Sequence, residues 1–342
     1  MKSVLLGMSG GVDSTYAVAR LREMGYYVEG AVIKMHDYTE VEEAKASAES
    51  LGVALRVIDA RELFSKTVIA DFIESYQKGR TPNPCVLCNE AVKMRLLYEE
   101  ALKSSIDYIA SGHYAGVSCV DGRYCVTIGA DARKDQSYML YRLPQEVLSR
   151  LILPLGDLLK TDVKKVAKEA GMASSDRPES QEICFVKNED YVAYIERNAG
   201  TMPHGDFVDG EGHVLGTHKG IHCYTVGQRK GLGVSSDARL FVESIDPSTN
   251  RILLSKTPRV CKQFVLSSVV YSGLSDNKLV DGEILEVKVR YLAKHQRAEI
   301  KRWADGKLLV NVPENELAIT PGQSAVFYRE GRVALGGIIE LT

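Results

Sequence analysis

Val4-Leu5-Leu6-Gly7-Met8-Ser9-Gly10-Gly11-Val12-Asp13-Ser14 opens the chain with an apolar run and a serine- and glycine-rich turn, followed by amphipathic spacing from Thr15 to about Met24. That order predicts strand, turn and helix. Gly10 and Gly11 let the backbone turn tightly and bring its N–H groups against an anion. Ser9 and Ser14 add hydroxyl donors, and the helix N-terminus favours the same negative charge. The turn therefore reads as a phosphate cradle. It has neither the Lys-Ser/Thr pair of a Walker loop nor the spacing of a G-x-G-x-x-G fingerprint.

After the cradle, apolar runs at Val28 to Ile33, Ala54 to Ile58 and Tyr108 to Ala110 alternate with helical spacing at Val41 to Leu51, Glu62 to Tyr76 and Ala91 to Leu102. Repeated βα units of this kind predict a doubly wound parallel sheet, with the cradle at the carboxyl edge of its first strand, where open sheets bind ligands. A helical connector follows at about 143–200, with Leu143 to Arg150, Asp162 to Ala170 and Glu189 to Asn198 as helices and Gly171 and Gly200 as stops. Past Pro203 the texture turns to short alternating strands. Leu240 to Ile245 and Arg251 to Ser255 make a hairpin, and five more runs between Glu283 and Ile339 suggest a barrel or sandwich. The expected fold class is thus α/β followed by β: residues 1–200 form the catalytic unit, 203–262 a small central β domain and 263–342 a C-terminal β-barrel.

Composition fits a globular enzyme of two or three domains: 342 residues, 45% apolar and a formal net charge of −2, which excludes a uniformly basic nucleic-acid coat. No stretch is apolar enough to span a bilayer and none resembles a cleavable signal, so the expectation is a cytoplasmic protein with no membrane partner. Seven cysteines then read as reduced thiols.

Three of those cysteines stand in chemical settings. In Thr81-Pro82-Asn83-Pro84-Cys85-Val86-Leu87-Cys88-Asn89 the prolines stiffen the approach, and Asn89 reads as the cap of a helix through Ala91, Met94 and Leu97. Cys88 beside that N-terminus would have a lowered thiol pKa and act as a nucleophile; half of a zinc site is the alternative, weakened by the lack of a second Cys-x-x-Cys. Cys184, between Ile183 and Phe185, reads either as a buried small hydrophobe or, with Arg177, Ser180 and Gln181 on its approach, as a reactive sulfur. A further signal lies between Leu285 and Arg302, where Lys288, Arg290, Lys294, Arg297, Lys301 and Arg302 outnumber Glu286 and Glu299, with Tyr291, His295 and Trp303 interleaved. Those side chains suit RNA phosphates and bases, or simply a solvated sheet face.

Together these stretches resemble a known family. Ser9 to Ser14 is similar to the PP-loop of ATP pyrophosphatases, of the adenine nucleotide alpha hydrolase-like fold. The order of the following motifs is similar to the bacterial and organellar tRNA-specific 2-thiouridylases: Thr81 to Pro84 with Cys88-Asn89, Ser111-Gly112-His113-Tyr114-Ala115, Lys134-Asp135-Gln136-Ser137, Ser180 to Phe185, Tyr224 to Gly233 and Ile319 to Gln323. The resemblance implies a tRNA-uridine 2-sulfurtransferase that replaces the C2 oxygen of the wobble uridine in tRNAs for Lys, Glu and Gln. It uses ATP and Mg²⁺ and releases AMP and pyrophosphate.

By the same resemblance, Gly7, Met8, Ser9, Gly10, Gly11, Val12, Asp13, Ser14, Ile33 and Gly112 bind ATP, with Asp13 also catalytic. Cys184 carries a persulfide delivered by a cysteine desulfurase or sulfur-relay protein, and Cys88 is the partner thiol that forms a transient disulfide with it. Asn83, Pro84, Cys85, His113, Lys134, Asp135, Gln136, Arg290, Tyr291 and Gln323 fall at tRNA-contacting positions. Many relatives carry Asp at the position of Cys85, so Cys85, Cys88 and Cys184 also offer the ligand set of an iron–sulfur cluster with one open iron, an alternative sulfur carrier. A PP-loop ligase or amidotransferase acting on a small molecule and a non-catalytic RNA-binding module are the other readings. The first needs neither paired thiols nor a basic β module, and the second would not need Asp13 and both cysteines.

Overall fold

Val4, Leu5 and Leu6 are all fully buried, Leu5 in one hydrophobic cluster and its two neighbours in another. A strand that buries both faces needs an unbroken apolar run, which is why the opening sequence does not alternate. The computed structural model describes residues 1–169, 183–187, 189–312 and 317–341.

Its first sheet contains β1 (Ser3–Gly7), β2 (Tyr27–Lys34), β3 (Leu55–Asp59) and β4 (Tyr108–Ser111). The chain then makes a hairpin, β5 (Ala115–Val120) and β6 (Arg123–Ile128), before β7 (Leu151–Ile152). The first sheet is parallel throughout, in the order β3-β2-β1-β4-β7. Strand order therefore reverses at β1, and the crevice opens between the carboxyl ends of β1 and β4, where the cradle and Gly112 lie.

The central sheet runs β10 (Phe241–Asp246), β11 (Arg251–Ser255), β8 (Gly205–Val208), β9 (Val214–His218), with β11 parallel to β8. Six strands close the C-terminal barrel: β12 (Gln263–Val270), β13 (Glu283–Lys288), β14 (Gln296–Arg302), β15 (Leu308–Asn311), β16 (Ser324–Arg329) and β17 (Arg332–Glu340). Closure comes from β12 pairing with both β15 and β17. An α/β sheet followed by a small central sheet and a β-barrel is the architecture expected from the sequence.

Two features depart from that expectation. The β5–β6 hairpin leaves the parallel sheet and joins the barrel through Arg332 opposite Thr127, so the barrel is seated on the first unit. Fully buried Tyr138 reinforces the seat by donating to the Ser324 carbonyl at 2.8 Å. In addition, the helix expected from Asn89 begins earlier. Pro84 occupies its first turn, Asn83 precedes it, and the chain is helical through Pro84–Cys88, a wide turn at Asn89–Lys93, and Met94–Lys103. Proline is favoured at that first position because its missing N–H has no partner to lose.

Candidate active site

The cradle is held by its own hydroxyls. Ser14 Oγ accepts from Ser9 N at 3.2 Å and donates to the Gly11 carbonyl at 3.0 Å, while Thr15 Oγ1 donates to the same carbonyl at 3.0 Å. Gly10 lies at φ +76°, a turn that L side chains rarely adopt. Gly11 precedes helix Val12–Glu23 without a side-chain cap, so no side chain competes for the N–H groups of the first turn.

Asp13 is the best-anchored charge in the cleft. Tyr114 Oη donates to it at 2.7 Å, and Lys160 Nζ sits 2.5 and 2.6 Å from its two oxygens, over the Tyr114 ring. Lys160 is buried at the start of helix Lys160–Glu169. Gly112 closes on the other side, where an added Cβ would lie 3.2 Å from the Asp13 backbone carbon and Cβ. Its lack of a side chain thus makes room for Asp13.

Asp13, Ser14 and Gly112 line a cleft of about 850 Å³ together with Gly7, Met8, Ser9, Ile33, His113, Gln136, Lys93 and Cys184. Asp13 and Glu40 are the carboxylates at its wall among the described residues, a donor set that suits a phosphate-bound Mg²⁺. His113 Nδ1 lies 2.8 Å from Ser111 Oγ, and burial together with the nearby Lys93 pushes the ring down to about 3, so the imidazole is neutral.

Cys184 is exposed and faces the cleft, whereas its neighbour Phe185 is buried against Phe64, Phe72 and Tyr194 at ring separations of 5.3 to 5.5 Å. The apolar flank is thus the anchor of the sulfur, and the reading of Cys184 as a buried hydrophobe is set aside. Arg177, Ser180 and Gln181, expected on its approach, lie outside the described residues.

Cys88 requires a correction. It lies a turn inside the helix rather than at its end, is 5% exposed, and packs its sulfur 3.6 Å from Met35 Sδ. Burial pushes its thiol up to about 11 against the pull of Lys93, the reverse of the lowered value expected from a helix terminus. Desolvation by the surrounding cleft wall likewise raises the Cys184 thiol, although its surface is open to the cleft, and Lys93 again opposes the shift. For Lys93 itself burial is the largest influence and acts downward, but Cys88, Cys85 and Cys184 outweigh it and hold the ammonium above its ordinary value. All seven cysteines are free thiols. Cys85 is exposed, Cys88 is packed on Met35 and Cys184 lines the cleft, and all three thiols lie near enough to act on Lys93.

Several residues expected to contact RNA have partners within the protein. Asp135 is buried and accepts from Gly129 N, Ser137 N and Ser137 Oγ at 2.9 to 3.1 Å, with Lys288 Nζ at 3.7 Å; it braces the loop against the barrel. Gln323 spends its amide donors on the Thr81 and Pro82 carbonyls at 2.9 and 3.0 Å, fixing the segment ahead of Cys85. Gln136 Oε1 accepts from Tyr114 N at 2.9 Å, yet the residue still borders the cleft. The basic run also shrinks. Lys288 is buried, Lys301 pairs with Glu299 at 2.9 Å, and Arg302 is held by Asp281 at 3.1 Å. Arg290 remains exposed, donating to Thr320 Oγ1 at 2.9 Å beside half-buried Tyr291.

Comparison with known proteins fits this geometry. Residues 2–188 match a family described as tRNA methyl transferase HUP domain, 192–256 the corresponding PRC-barrel domain and 267–339 an aminomethyltransferase beta-barrel domain. The chain is 40% identical to the tRNA-specific 2-thiouridylase MnmA of Carboxydothermus hydrogenoformans, over 99% of this chain and 98% of that protein. It belongs to the MnmA family of tRNA-specific 2-thiouridylases. The MnmA of Clostridioides difficile is 40% identical over 99% of this chain and 98% of its own, and MnmA 1 of Caldanaerobacter subterraneus is 41% identical over 98% and 97%.

In this MnmA family member the residues missed by sequence reasoning are the cations. Lys160 is separated from Asp13 by 147 positions, and no local pattern marks it. Lys93 follows Cys88 by five positions, a spacing that faces the same way only in a wide turn such as Asn89–Lys93.

Proposed function

We propose that this chain carries out ATP-dependent 2-thiolation of the wobble uridine of tRNA, with Cys184 as the persulfide carrier. The observation that supports this reading above others is that Cys184 lines the same cleft as Ser9, Asp13 and Ser14. A nucleophilic sulfur and a phosphate cradle sharing one space suit activation and sulfur attack at one carbon. Methyl transfer, named in the family description, would leave both unused.

In this mechanism the uridine O2 attacks the α-phosphorus of ATP and pyrophosphate leaves. The cradle N–H groups take up the developing charge. Lys160 moves from Asp13 toward the pyrophosphate, and Asp13 is the carboxylate that would then hold Mg²⁺, whose bound charge offsets that of the phosphates. The outer sulfur of the Cys184 persulfide, once deprotonated, attacks C2. Cys88 then loses its proton and attacks Cys184 Sγ, the S–S bond breaks, sulfur stays on C2 and the C2–O bond breaks to release AMP. The Cys88–Cys184 disulfide carries the two electrons' worth of oxidation, and a dithiol reductant resets it. Neutral His113 stays uncharged at the base, and Lys93 favours each thiolate as it forms.

The target base has to leave the anticodon stack to reach this cleft. Asn83, Pro84 and exposed Cys85 would border it, and Lys134, Arg290 and Tyr291 would lie along the RNA. The division into 1–200, 203–262 and 263–342, a cytoplasmic setting, and a cysteine desulfurase or relay protein as donor belong to the same reading; no helix among the described residues is long and apolar enough to cross a membrane. Purified protein with Mg-ATP, a persulfide donor and unmodified tRNA should yield 2-thiouridine by nucleoside mass spectrometry, with stoichiometric AMP. Undiminished product from Cys184→Ala would refute the persulfide route.

A further inference from the structure

Away from the cleft, three unlike donor atoms converge where the helix Tyr191–Ala199 meets the central sheet domain. His222 is completely buried in the single turn Ile221–Cys223, and its Nε2 lies 3.2 Å from Glu196 Oε1. Cys223 Sγ lies 3.6 Å from the same nitrogen. All three donor atoms fall within 4.8 Å of one another. We propose that Glu196, His222 and Cys223 bind a divalent transition metal, zinc by preference, that clips the helix Tyr191–Ala199 to the central sheet.

Nε2 offers one proton or one lone pair, yet both a carboxylate and a thiol approach it. Only one of those contacts can be a satisfied hydrogen bond, whereas a cation at the centre satisfies nitrogen, oxygen and sulfur together. Zinc bonds of about 2.0 to 2.3 Å in a tetrahedron place donor atoms about 3.3 to 3.7 Å apart, close to the two separations from His222 Nε2, while the carboxylate and thiol, within 4.8 Å, can close on a shared ion. A thiolate and a carboxylate balance the charge of a divalent ion, and this mixed set suits zinc better than magnesium or calcium. Glu196 is a third exposed, which leaves the fourth position open to water.

The location gives such an ion a task. Two residues beyond Cys223, Thr225 accepts a hydrogen bond from Thr81 Oγ1 at 3.0 Å, at the start of the segment leading to Cys85 and Cys88. On the helix that carries Glu196, Tyr191 stacks on Tyr76 at 4.6 Å. A metal here would fix the central domain against the thiol-bearing helix.

The test uses the full chain and readouts independent of tRNA and ATP. Metal content is measured after purification, and apoprotein is titrated with Zn²⁺ against a chromophoric chelator and with Co²⁺ by absorbance. Expected are one equivalent per chain, a tetrahedral cobalt spectrum with a thiolate charge-transfer band, and a raised Tm with zinc. Cys223→Ser and Glu196→Gln, which alter the less buried ligands, should each weaken binding about tenfold or more, and Cys223→Ser should abolish the charge-transfer band. A Cys88→Ser/Cys184→Ser double variant should bind as the parent does. No binding at micromolar zinc would overturn the proposal. So would binding that survives Cys223→Ser and Glu196→Gln but disappears in the double variant, which would place the metal at the catalytic thiols.

Discussion

The state of Cys88 sets a rate that can be calculated in advance. A thiol held near 11 rather than near 9 carries about a hundredfold less thiolate at pH 7.5. Its thiolate, being more basic, is intrinsically about eightfold the better nucleophile. Alkylation of Cys88 by iodoacetamide in the free enzyme should therefore run about tenfold slower than that of a cysteine peptide. Its 5% exposure slows it further. Because the group titrates near 11, the rate should climb close to tenfold per pH unit from pH 7 to pH 10, without the plateau a normal thiol reaches. The sign for stability follows from the same shift. The folded thiol stays protonated where the unfolded one ionises, so this group favours unfolding only as pH rises toward and above the ordinary thiol value near 9, and it is silent at neutral pH. The assay is timed alkylation, quenching and peptide mass mapping of Cys88 alongside Cys85 as the exposed internal control. Labelling of Cys88 at or above the rate of the free peptide at pH 7.5 would refute the reasoning, because it would mean that the field of Lys93 and the helix outweighs burial.

Lys93→Met removes the cation that opposes burial at both thiols, so the alkylation profile of Cys184 should move to higher pH; an unmoved profile would show that Lys93 does not act on it. Lys160→Met strips Asp13 of its ammonium but leaves Tyr114, and since Asp13 is about a third exposed the loss should be about 1–3 kcal/mol in urea unfolding, with ATP–pyrophosphate exchange reduced much more than stability implies. Gln323→Leu leaves the Thr81 and Pro82 carbonyls unpaired and should cost about 1–2 kcal/mol while lowering thiolation, whether or not tRNA affinity changes. If Arg290 touches a phosphate, Arg290→Ala should weaken tRNA binding and reduce the salt slope by about one; Asp135→Asn, buried under the barrel, should change stability and leave that slope as it was.

The fold was largely legible because its signals are short-ranged. An unbroken apolar run before Ser9-Gly10-Gly11 specifies a doubly buried strand and the turn after it, and Asp246 to Asn250 marks its hairpin by side chains that bond their own backbone, Asp246 to Ser248 N at 2.9 Å. The start of the Cys88 helix is not legible in the sequence because Asn89 looks like a cap only if Pro84 is read as a breaker; at the first turn the same proline is an initiator. Nothing in Ala115 to Ile128 says that the hairpin belongs to a barrel that begins more than a hundred residues later.

Residue types and local order thus marked a serine- and glycine-rich turn suited to a phosphate, a cysteine set between Ile183 and Phe185, and the family to which they belong; that Cys184 faces the cleft came from the fold. Charge state and accessibility had to wait for packing. Cys88 is protonated because side chains distant in sequence exclude water from it, Asp13 is paired because Lys160 arrives from 147 positions away, and Lys288 and Asp135 neutralise each other inside rather than facing RNA. Desolvation and Coulomb fields depend on distance in space, and a linear sequence specifies that distance only once the chain has folded.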